Sequence, residues 1–277
     1  MSLLILTHYT SMCNPSVMNI QPIQIHNLKL HEALFSICFP NARLTSNYLE
    51  WLYFSNPLGN VVGFDAFCEK ELIAHCAFIP TRIGDTVGLL SLNVATHPNH
   101  QSQGIFQKLA QLTFETWDKD FGFVVAVANA QSARTFIKRL GFQEIGRLNL
   151  RFGKLQRPLN GVRTWTKDDI DWRVKSPRGE LQAIAIGQGC VEMSIRPEKF
   201  PFKLKALVPV EYKTGLPAIE FETKKSYGFT VDWIKDTKPF LHLPKRLKPS
   251  PLVMIHRSLN GNDIVLNSWS FPDFDAF

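Results

Sequence analysis

The sequence lacks the signatures of several common protein classes. No apolar run approaches the ~20 residues that a membrane-spanning helix needs, so we expect no membrane span. Gly-x-Ser-x-Gly, Cys-x-x-Cys and Walker-type sequences are absent, which removes the usual motif evidence for a serine hydrolase, a thiol oxidoreductase or a P-loop enzyme. His97 and His100 flank a proline with no third candidate ligand beside them, so we predict no metal site.

Cysteine is too scarce and too scattered for a disulfide framework. The chain has an odd number of cysteines without close pairing, namely Cys13, Cys38, Cys68, Cys76 and Cys190. Such usage is typical of reduced thiols in a reducing compartment. Residues 1–19 have no basic lead-in, and their apolar core is too short for a signal peptide. We therefore expect a loose leader over residues 1–19 and a cytoplasmic location.

The composition is that of an ordinary folded protein, with a basic excess confined to its second part. The 277 residues are 45% hydrophobic and 20% charged, which is enough for one large or two small domains. Residues 1–150 hold 10 Lys+Arg and 10 Asp+Glu, whereas residues 151–277 hold 21 and 14. This basic part is either a solvated surface or a face that attracts an anionic acceptor. The basic tract at residues 245–248 lacks interleaved aromatics, so nucleic-acid binding is not expected.

An apolar strand, a polar turn and a glycine at a helix start follow one another in residues 94–107. Val94, Ala95 and Thr96 end the strand, and Gly104 opens a helix whose apolar positions follow helical spacing. A helix start gathers unpaired backbone N–H groups and the positive end of the helix dipole. The segment therefore predicts an anion site suited to phosphates.

A second unit of strand and helix follows at residues 123–142. Residues 123–128 form a continuous apolar run, which predicts a buried strand. Asn129 follows it, and a short helix is expected from Ser132, which can cap it, to Leu140, with Gly141 ending it. Near the end of the chain, Asn260-Gly261 between two apolar segments predicts a hairpin.

These two segments resemble the cofactor-binding motifs of the GCN5-related N-acetyltransferases, the GNAT superfamily. The family motif has Gln or Arg, two residues, Gly, one residue, then Gly or Ala; here Gln101, Gly104 and Phe106 take those places, and Phe106 departs from the pattern. The resemblance covers roughly residues 20–152. It implies an α/β fold with a mixed central sheet of the acyl-CoA N-acyltransferase type in a domain at residues 20–155. Residues 156–277 would form a smaller α+β region, with a degenerate GNAT-like half as one alternative.

The resemblance also implies where acetyl-CoA, the cosubstrate, would bind. The pantetheine arm would lie in a gap beside the strand and pair with its backbone, and the pyrophosphate would meet the amides of the turn. Asn129 at the end of the next strand is a further candidate, against a plain turn role. The cofactor-binding residues predicted in this way are Val94, Ala95, Thr96, Gln101, Ser102, Gln103, Gly104, Ile105, Phe106, Gln107, Asn129 and Ser132.

The groups that would move protons are harder to place. Many family members use a tyrosine on the helix that corresponds to residues 132–140, but here the aligned position is Ile137, or Phe136 with a shift of one. Neither side chain can donate a proton. Asn93, His75 and Tyr48 are the remaining weak candidates on the acceptor side, and Asn93 can orient an acceptor but cannot act as a base.

Two functions of different class remain open. The first is an N-acetyltransferase that moves the acetyl group of acetyl-CoA to a primary amine of a small acceptor, with an anionic acceptor such as a nucleotide-linked amino sugar as one alternative. The second is a non-catalytic acyl-CoA-binding or regulatory module, which the missing tyrosine and Phe106 favour. Thiol release in the presence of amines separates them, whereas cofactor binding alone does not.

Overall fold

The computed structural model describes residues 18–155, 163, 165–178, 181–187, 189–197, 202–211, 226–235, 252–261 and 264–273. Within these residues the chain forms five α-helices and two β-sheets. Apart from residues 18 and 19, the predicted leader lies outside the described part. No helix in the described part is both long and apolar enough to cross a membrane.

The first sheet has seven strands in the order β1-β2-β3-β4-β5-β12-β6. Their bounds are β1 Asn19–Pro22, β2 Val62–Cys68, β3 Glu71–Ile83, β4 Thr86–Thr96, β5 Phe123–Ala128, β6 Gln143–Arg147 and β12 Val253–Ser258. All neighbours are antiparallel except β4 and β5, which are parallel. The central strands β3 and β5 are mostly apolar and almost wholly buried, as expected of strands that are covered on both faces.

Two pairs of helices cover the two faces of this sheet. Helices α1 (Leu28–Cys38) and α2 (Ser46–Phe54) pack into one core cluster, and α3 (Ile105–Trp117) and α4 (Ala130–Leu140) pack into the other. Helix α2 begins where the hydroxyl of Thr45 accepts a hydrogen bond from the Tyr48 N–H. The layers are therefore helix, sheet and helix, a mixed α/β arrangement.

Strands β4 and β5 separate before they end. They pair only from Leu89 with Val124 to Ser91 with Ala126, whereas β4 stays paired with β3 as far as Thr96. The register between β3 and β4 shifts on the way, so that residues 93 and 94 form a bulge. Asn93 in this bulge has the left-handed backbone angle φ of 49°. A gap thus opens between the carboxyl ends of β4 and β5, as the resemblance implies.

The second sheet has the order β13-β11-β10-β9-β8, and β7 pairs with β11. The bounds are β7 Asn149–Lys154, β8 Gln182–Gly187, β9 Cys190–Ile195, β10 Leu204–Pro209, β11 Tyr227–Ile234 and β13 Ser268–Ser270, with helix α5 at Lys167–Val174. Like the first sheet, it has one parallel pair, β10 with β11, next to antiparallel strands.

The two parts of the chain exchange strands. Strand β12 lies between β5 and β6 of the first sheet, and β7 pairs with β11 of the second, where Arg151 and Asp232 form an ion pair. The sheets therefore do not follow the predicted boundary between residues 155 and 156, and the domain limits stay a prediction. The prediction of a hairpin at Asn260-Gly261 is wrong, because β12 and β13 belong to different sheets.

One expectation about the cysteines is also wrong. Cys68 at the end of β2 is disulfide-bonded, whereas the other described cysteines, Cys38, Cys76 and Cys190, are free thiols. Burial raises the pKa of the Cys76 thiol, so this cysteine is an uncharged core side chain.

Candidate functional site

A tight turn leads from β4 into α3 and leaves the first amides of the helix without partners in the helix. Gly104 is the N-cap with a φ of 74°, and Ser102 before it also has a positive φ of 63°. The first hydrogen bond of the helix runs from the Lys108 N–H to the Gly104 carbonyl at 3.0 Å. The N–H groups of residues 105–107 therefore have no partner within the helix. Among the described residues, no atom outside the turn itself would lie within 4 Å of a Cβ atom at Gly104, so open space lies beside this turn.

The predicted turn residues hold the end of β4 in place. The Gln101 side-chain amide donates to the Thr96 carbonyl at 3.1 Å, and the Cys38 thiol lies 3.5 Å from the same oxygen. Ala95 pairs with His75 of β3, while the opposite edge of residues 92–96 has no strand partner among the described residues. The predicted residues Val94 to Thr96 thus form one open wall of the gap.

Asn129 and Ser132 lie at the start of α4. The Asn129 side-chain oxygen accepts a hydrogen bond from the Ser132 N–H at 2.9 Å. Helix α4 therefore begins at Ala130 with Asn129 as its cap, and the expectation that Ser132 caps it is wrong. Asn129 therefore has the structural role in the turn that was the alternative to cofactor binding. A cofactor contact by Asn129 or Ser132 stays a prediction.

Phe106, the departure from the family pattern, packs into the core instead of the turn. Its ring meets that of Phe136 edge-on at 5.1 Å, and Phe136 also contacts Phe142. Ile137 is half-buried against the same cluster. The position at which the family has a tyrosine thus carries only apolar packing, and the N–H of Phe106 still belongs to the turn.

A chain of buried polar side chains lies between the first sheet and helices α1 and α2. Asp65 of β2 bridges two histidines: its Oδ2 lies 2.8 Å from His31 Nε2, and its Oδ1 lies 2.7 Å from His75 Nδ1. The Tyr53 hydroxyl lies 3.0 Å from His75 Nε2, and Asn93 Nδ2 donates to that hydroxyl at 3.1 Å. The histidines, Asp65 and Tyr53 are completely buried, whereas Asn93 is half-buried. We call these five residues the polar chain.

The charges in the polar chain follow from its contacts. Burial tends to raise the pKa of Asp65, but hydrogen bonds from His31 and His75 outweigh it and lower this pKa to about 2. Burial lowers the pKa of His75, with the nearby His31 adding to the effect. Asp65 is therefore a carboxylate at neutral pH, and His75 is uncharged.

The polar chain includes two of the three weak catalytic candidates, His75 and Asn93. Tyr48, the third, lies five positions before Tyr53 on α2, so the two side chains point about 140° apart around the helix. Its ring contacts Trp51 at 5.5 Å, and the Arg178 guanidinium lies 4.1 Å above it. The structure thus places Tyr48 in a different contact, while Tyr53, Asp65 and His31 are members that the sequence analysis missed.

His31, Asp65 and His75 together offer three potential metal ligands within 4.8 Å of one another. Each histidine nitrogen, however, lies at hydrogen-bond distance from a different carboxylate oxygen. Such a contact needs a hydrogen on the nitrogen, whereas a metal needs its lone pair. Hydrogen bonds therefore explain the cluster without an ion, and the absence of a metal site stays a prediction.

Comparison with known proteins gives structural neighbours only. No protein-family model matches the sequence, and no curated protein matches it either. A provisionally assigned acetyltransferase from Pyrococcus horikoshii superposes over 94% of both chains with a TM-score of 0.57 at 11% identity. A glucosamine N-acetyltransferase region of a fungal β-N-acetylglucosaminidase covers 62% of this chain and 22% of its own, with a TM-score of 0.44 at 12% identity. The superposition with a GNAT-family N-acetyltransferase from Escherichia coli in complex with CoA covers 47% of this chain and 71% of that one, with a TM-score of 0.37 at 14% identity.

The chain therefore has the GNAT fold, and the resemblance stated from the two sequence motifs is confirmed at the level of the fold. The Pyrococcus structure carries this conclusion, because it matches nearly the whole length of both proteins. At 11% identity the likeness concerns architecture, and the activity has to be argued from the residues of this chain.

Proposed function

We propose that this protein is an acyltransferase that moves the acetyl group of acetyl-CoA to a primary amine of a small acceptor. The observation that carries the proposal is the combination of the gap between β4 and β5 with the turn at Gly104 at the mouth of that gap. The gap offers unpaired strand edges, and the turn offers unpaired N–H groups. A long ligand with an amide-containing arm and a pyrophosphate fits both features.

The cofactor would be held mostly by the backbone. Its pantetheine arm would lie along residues 92–96 of β4, where no described strand occupies the edge that faces β5. Its pyrophosphate would meet the N–H groups that precede Lys108 at the positive end of α3. Gly104 has no Cβ and adopts a φ that other residues adopt only with strain, so this position lets phosphate oxygens approach the chain.

The reaction needs an uncharged amine that attacks the thioester carbon, so that the carbon–sulfur bond breaks and CoA leaves as a thiolate. The proton that the amine loses needs a route to that thiolate or to solvent. Ile137 and Phe136 cannot supply that route. Asn93 lies on β4 directly beyond the point where β4 leaves β5, and the rest of the polar chain lies behind it. Asn93 thus brings a polar group to the gap from the side of α1 and α2, the side that we propose for the acceptor.

The acceptor is proposed as a small amine with negative charge elsewhere, such as a nucleotide-linked amino sugar. Its support is the basic excess of residues 151–277. The Lys-Lys pair at residues 224–225 and the Lys-Arg pair at 245–246 belong to this excess and lie outside the described residues.

A non-catalytic acyl-CoA-binding module is the second candidate. It is favoured by the apolar packing of Phe106, Phe136 and Ile137, which leaves the usual tyrosine position without a proton donor. Such a module would bind the cofactor in the same gap but would have no use for an acceptor.

Release of free thiol from acetyl-CoA in the presence of a panel of amines tests the proposal. We expect amine-dependent thiol release, with amino sugars on phosphate or nucleotide carriers among the active amines. Binding of acetyl-CoA without thiol release above the hydrolysis background, for every amine, would contradict the enzymatic proposal and favour the binding module.

A further inference from the structure

We propose that Asn93 holds the acceptor amine through its side-chain oxygen, and that the buried residues Tyr53, His75, Asp65 and His31 determine which way its amide points. This inference rests on the proposed function and names positioning residues for it. It follows from the hydrogen bonds of the polar chain when each donor and acceptor is assigned in turn.

The assignment starts at Asp65, which is ionised and can only accept hydrogen bonds. Its two oxygens lie 2.8 Å from His31 Nε2 and 2.7 Å from His75 Nδ1. Each of these ring nitrogens must therefore carry a hydrogen. Because His75 is uncharged, its other nitrogen, Nε2, has a lone pair and no hydrogen.

The next two links follow from this lone pair. The Tyr53 hydroxyl lies 3.0 Å from His75 Nε2, so the hydroxyl donates its one hydrogen there. It can then only accept from Asn93, whose Nδ2 lies 3.1 Å away. The NH2 end of the Asn93 amide is thus fixed on the phenol, and the carbonyl end, Oδ1, is left for a ligand. Among the described residues, no hydrogen bond to Oδ1 occurs.

The position of Asn93 supports a ligand contact. It is the half-buried end of a chain whose other members are completely buried. It also has a left-handed backbone in the β4 bulge, a conformation that asparagine tolerates better than most residues with a side chain. The contact with Tyr53 holds its side chain, and Asn93 lies two residues past Ser91, the last residue of β4 that pairs with β5.

The chemistry of Oδ1 suits an amine about to react. An amide oxygen accepts a hydrogen bond from an N–H of a neutral amine without the charge that would favour the ammonium form. The amine keeps its lone pair for the thioester carbon. Tyr53 and the residues behind it touch neither substrate, so they act through Asn93 as positioning residues.

Steady-state kinetics with acetyl-CoA and the best amine of the panel test the amine contact. We expect Asn93→Ala to raise the acceptor KM about tenfold, the effect of one lost hydrogen bond, with the acetyl-CoA dissociation constant unchanged. Tyr53→Phe should raise the same KM by a smaller factor, because it frees the amide to turn. Tyr48→Phe, a buried phenol on the same helix, is the matched control and should leave the acceptor KM unchanged.

A double-mutant cycle separates positioning from a purely structural role. If Tyr53 acts through Asn93, the variant with both Tyr53→Phe and Asn93→Ala should have the acceptor KM of Asn93→Ala alone. If the increases in acceptor KM of the two single variants multiply in the double variant, the proposal is overturned. Changes that are confined to the stability of the fold would overturn it as well. A stoichiometric bound metal that is lost in His31→Ala or His75→Ala would also overturn it, because the ring nitrogens would then lack the assigned hydrogens.

A readout without turnover keeps this inference separate from the proposed function. The Asn93 side-chain amide signals in a 15N NMR spectrum, identified by their loss in Asn93→Ala, should move in Tyr53→Phe and stay in Tyr48→Phe. If wild-type protein acetylates no amine, the proposed function fails, while these signals still test the contact between the Tyr53 hydroxyl and the Asn93 amide. Signals that do not move in Tyr53→Phe would overturn the inference even in an active enzyme.

Discussion

The turn at Gly104 allows the sharpest test of cofactor binding. A ligand that binds the native state at about 100 times its dissociation constant stabilises the fold by about 2.7 kcal/mol. For a chain of this size, each kcal/mol raises the melting temperature by roughly 2–4 °C, so acetyl-CoA should raise it by about 5–10 °C. Gly104→Glu should abolish this rise, because a side chain and a negative charge would occupy the space of the phosphates.

Gly141→Glu is the matched control for that experiment. Gly141 has a φ of 70° against 74° for Gly104, and a Cβ atom at either position would meet no atom within 4 Å from the rest of the described chain. Both variants therefore pay a similar backbone strain of about 1–2 kcal/mol and gain the same charge. Gly141 follows the C-terminal end of α4, whereas the proposed phosphate site lies at the start of α3.

Thermal unfolding with and without acetyl-CoA measures the response of each variant. Because the response is a difference between two scans of one variant, the strain common to both scans cancels. We expect a full rise for wild type and Gly141→Glu and none for Gly104→Glu. A full rise in Gly104→Glu, or an equal loss in both variants, would refute phosphate binding at this turn.

Three further predictions concern the rest of the molecule. Ile137→Ala should lower the free energy of unfolding by up to about 2–5 kcal/mol while turnover per folded molecule stays unchanged; a loss of several orders of magnitude in turnover would show a chemical role. The unfolding free energy should fall as the pH drops below 6.5, because the lowered pKa of His75 makes the unfolded chain bind the proton first. It should fall further between 3.8 and about 2 through Asp65; urea titrations at several pH values would contradict this if they showed no decline on the acid side. Ile255→Ala in β12 should cost about 2–5 kcal/mol in urea unfolding, whereas the exposed Val265→Ala should change stability by under about 0.5 kcal/mol; similar effects would argue against β12 in the core of the first sheet.

The cofactor segment could be predicted from sequence because its signals are local. The apolar run before the turn, the polar residues of the turn and Gly104 at the helix start lie within fourteen residues, 94–107. The second unit was equally readable, with strand β5 and helix α4 within two residues of the expected limits. The cap was misplaced because Asn129 and Ser132 both favour that role, and only the hydrogen bond between them identifies Asn129.

The exchange of strands could not be predicted, because strand pairing between distant segments leaves no local signal. Residues 253–258 pair with residues 123–128, which lie about half the chain away in sequence. The Asn-Gly step at 260–261 is a strong hairpin signal and was over-ruled by these long-range pairings. Similarly, the odd cysteine count is compatible with one disulfide, but no local pattern indicates that Cys68 is one of the bonded cysteines.

Only two members of the polar chain could be predicted from the sequence, because the contacts between its members join distant segments. The sequence points to His75 and Asn93 because both are polar residues that interrupt apolar strands near the motif. Asp65 also interrupts an apolar strand, and it is the direct cross-strand partner of His75, but this register is known only from the sheet. His31 and Tyr53 come from helices α1 and α2, so their contacts depend on how both helices pack on the sheet.

A crystal structure with acetyl-CoA bound tests the central claim most directly. We expect the pantetheine arm between β4 and β5, paired with the backbone of residues 92–96, and the pyrophosphate on the amides of residues 101–107. The thioester should then lie near Asn93. A cofactor bound elsewhere on the molecule, or a gap that stays closed at saturating acetyl-CoA, would contradict the account.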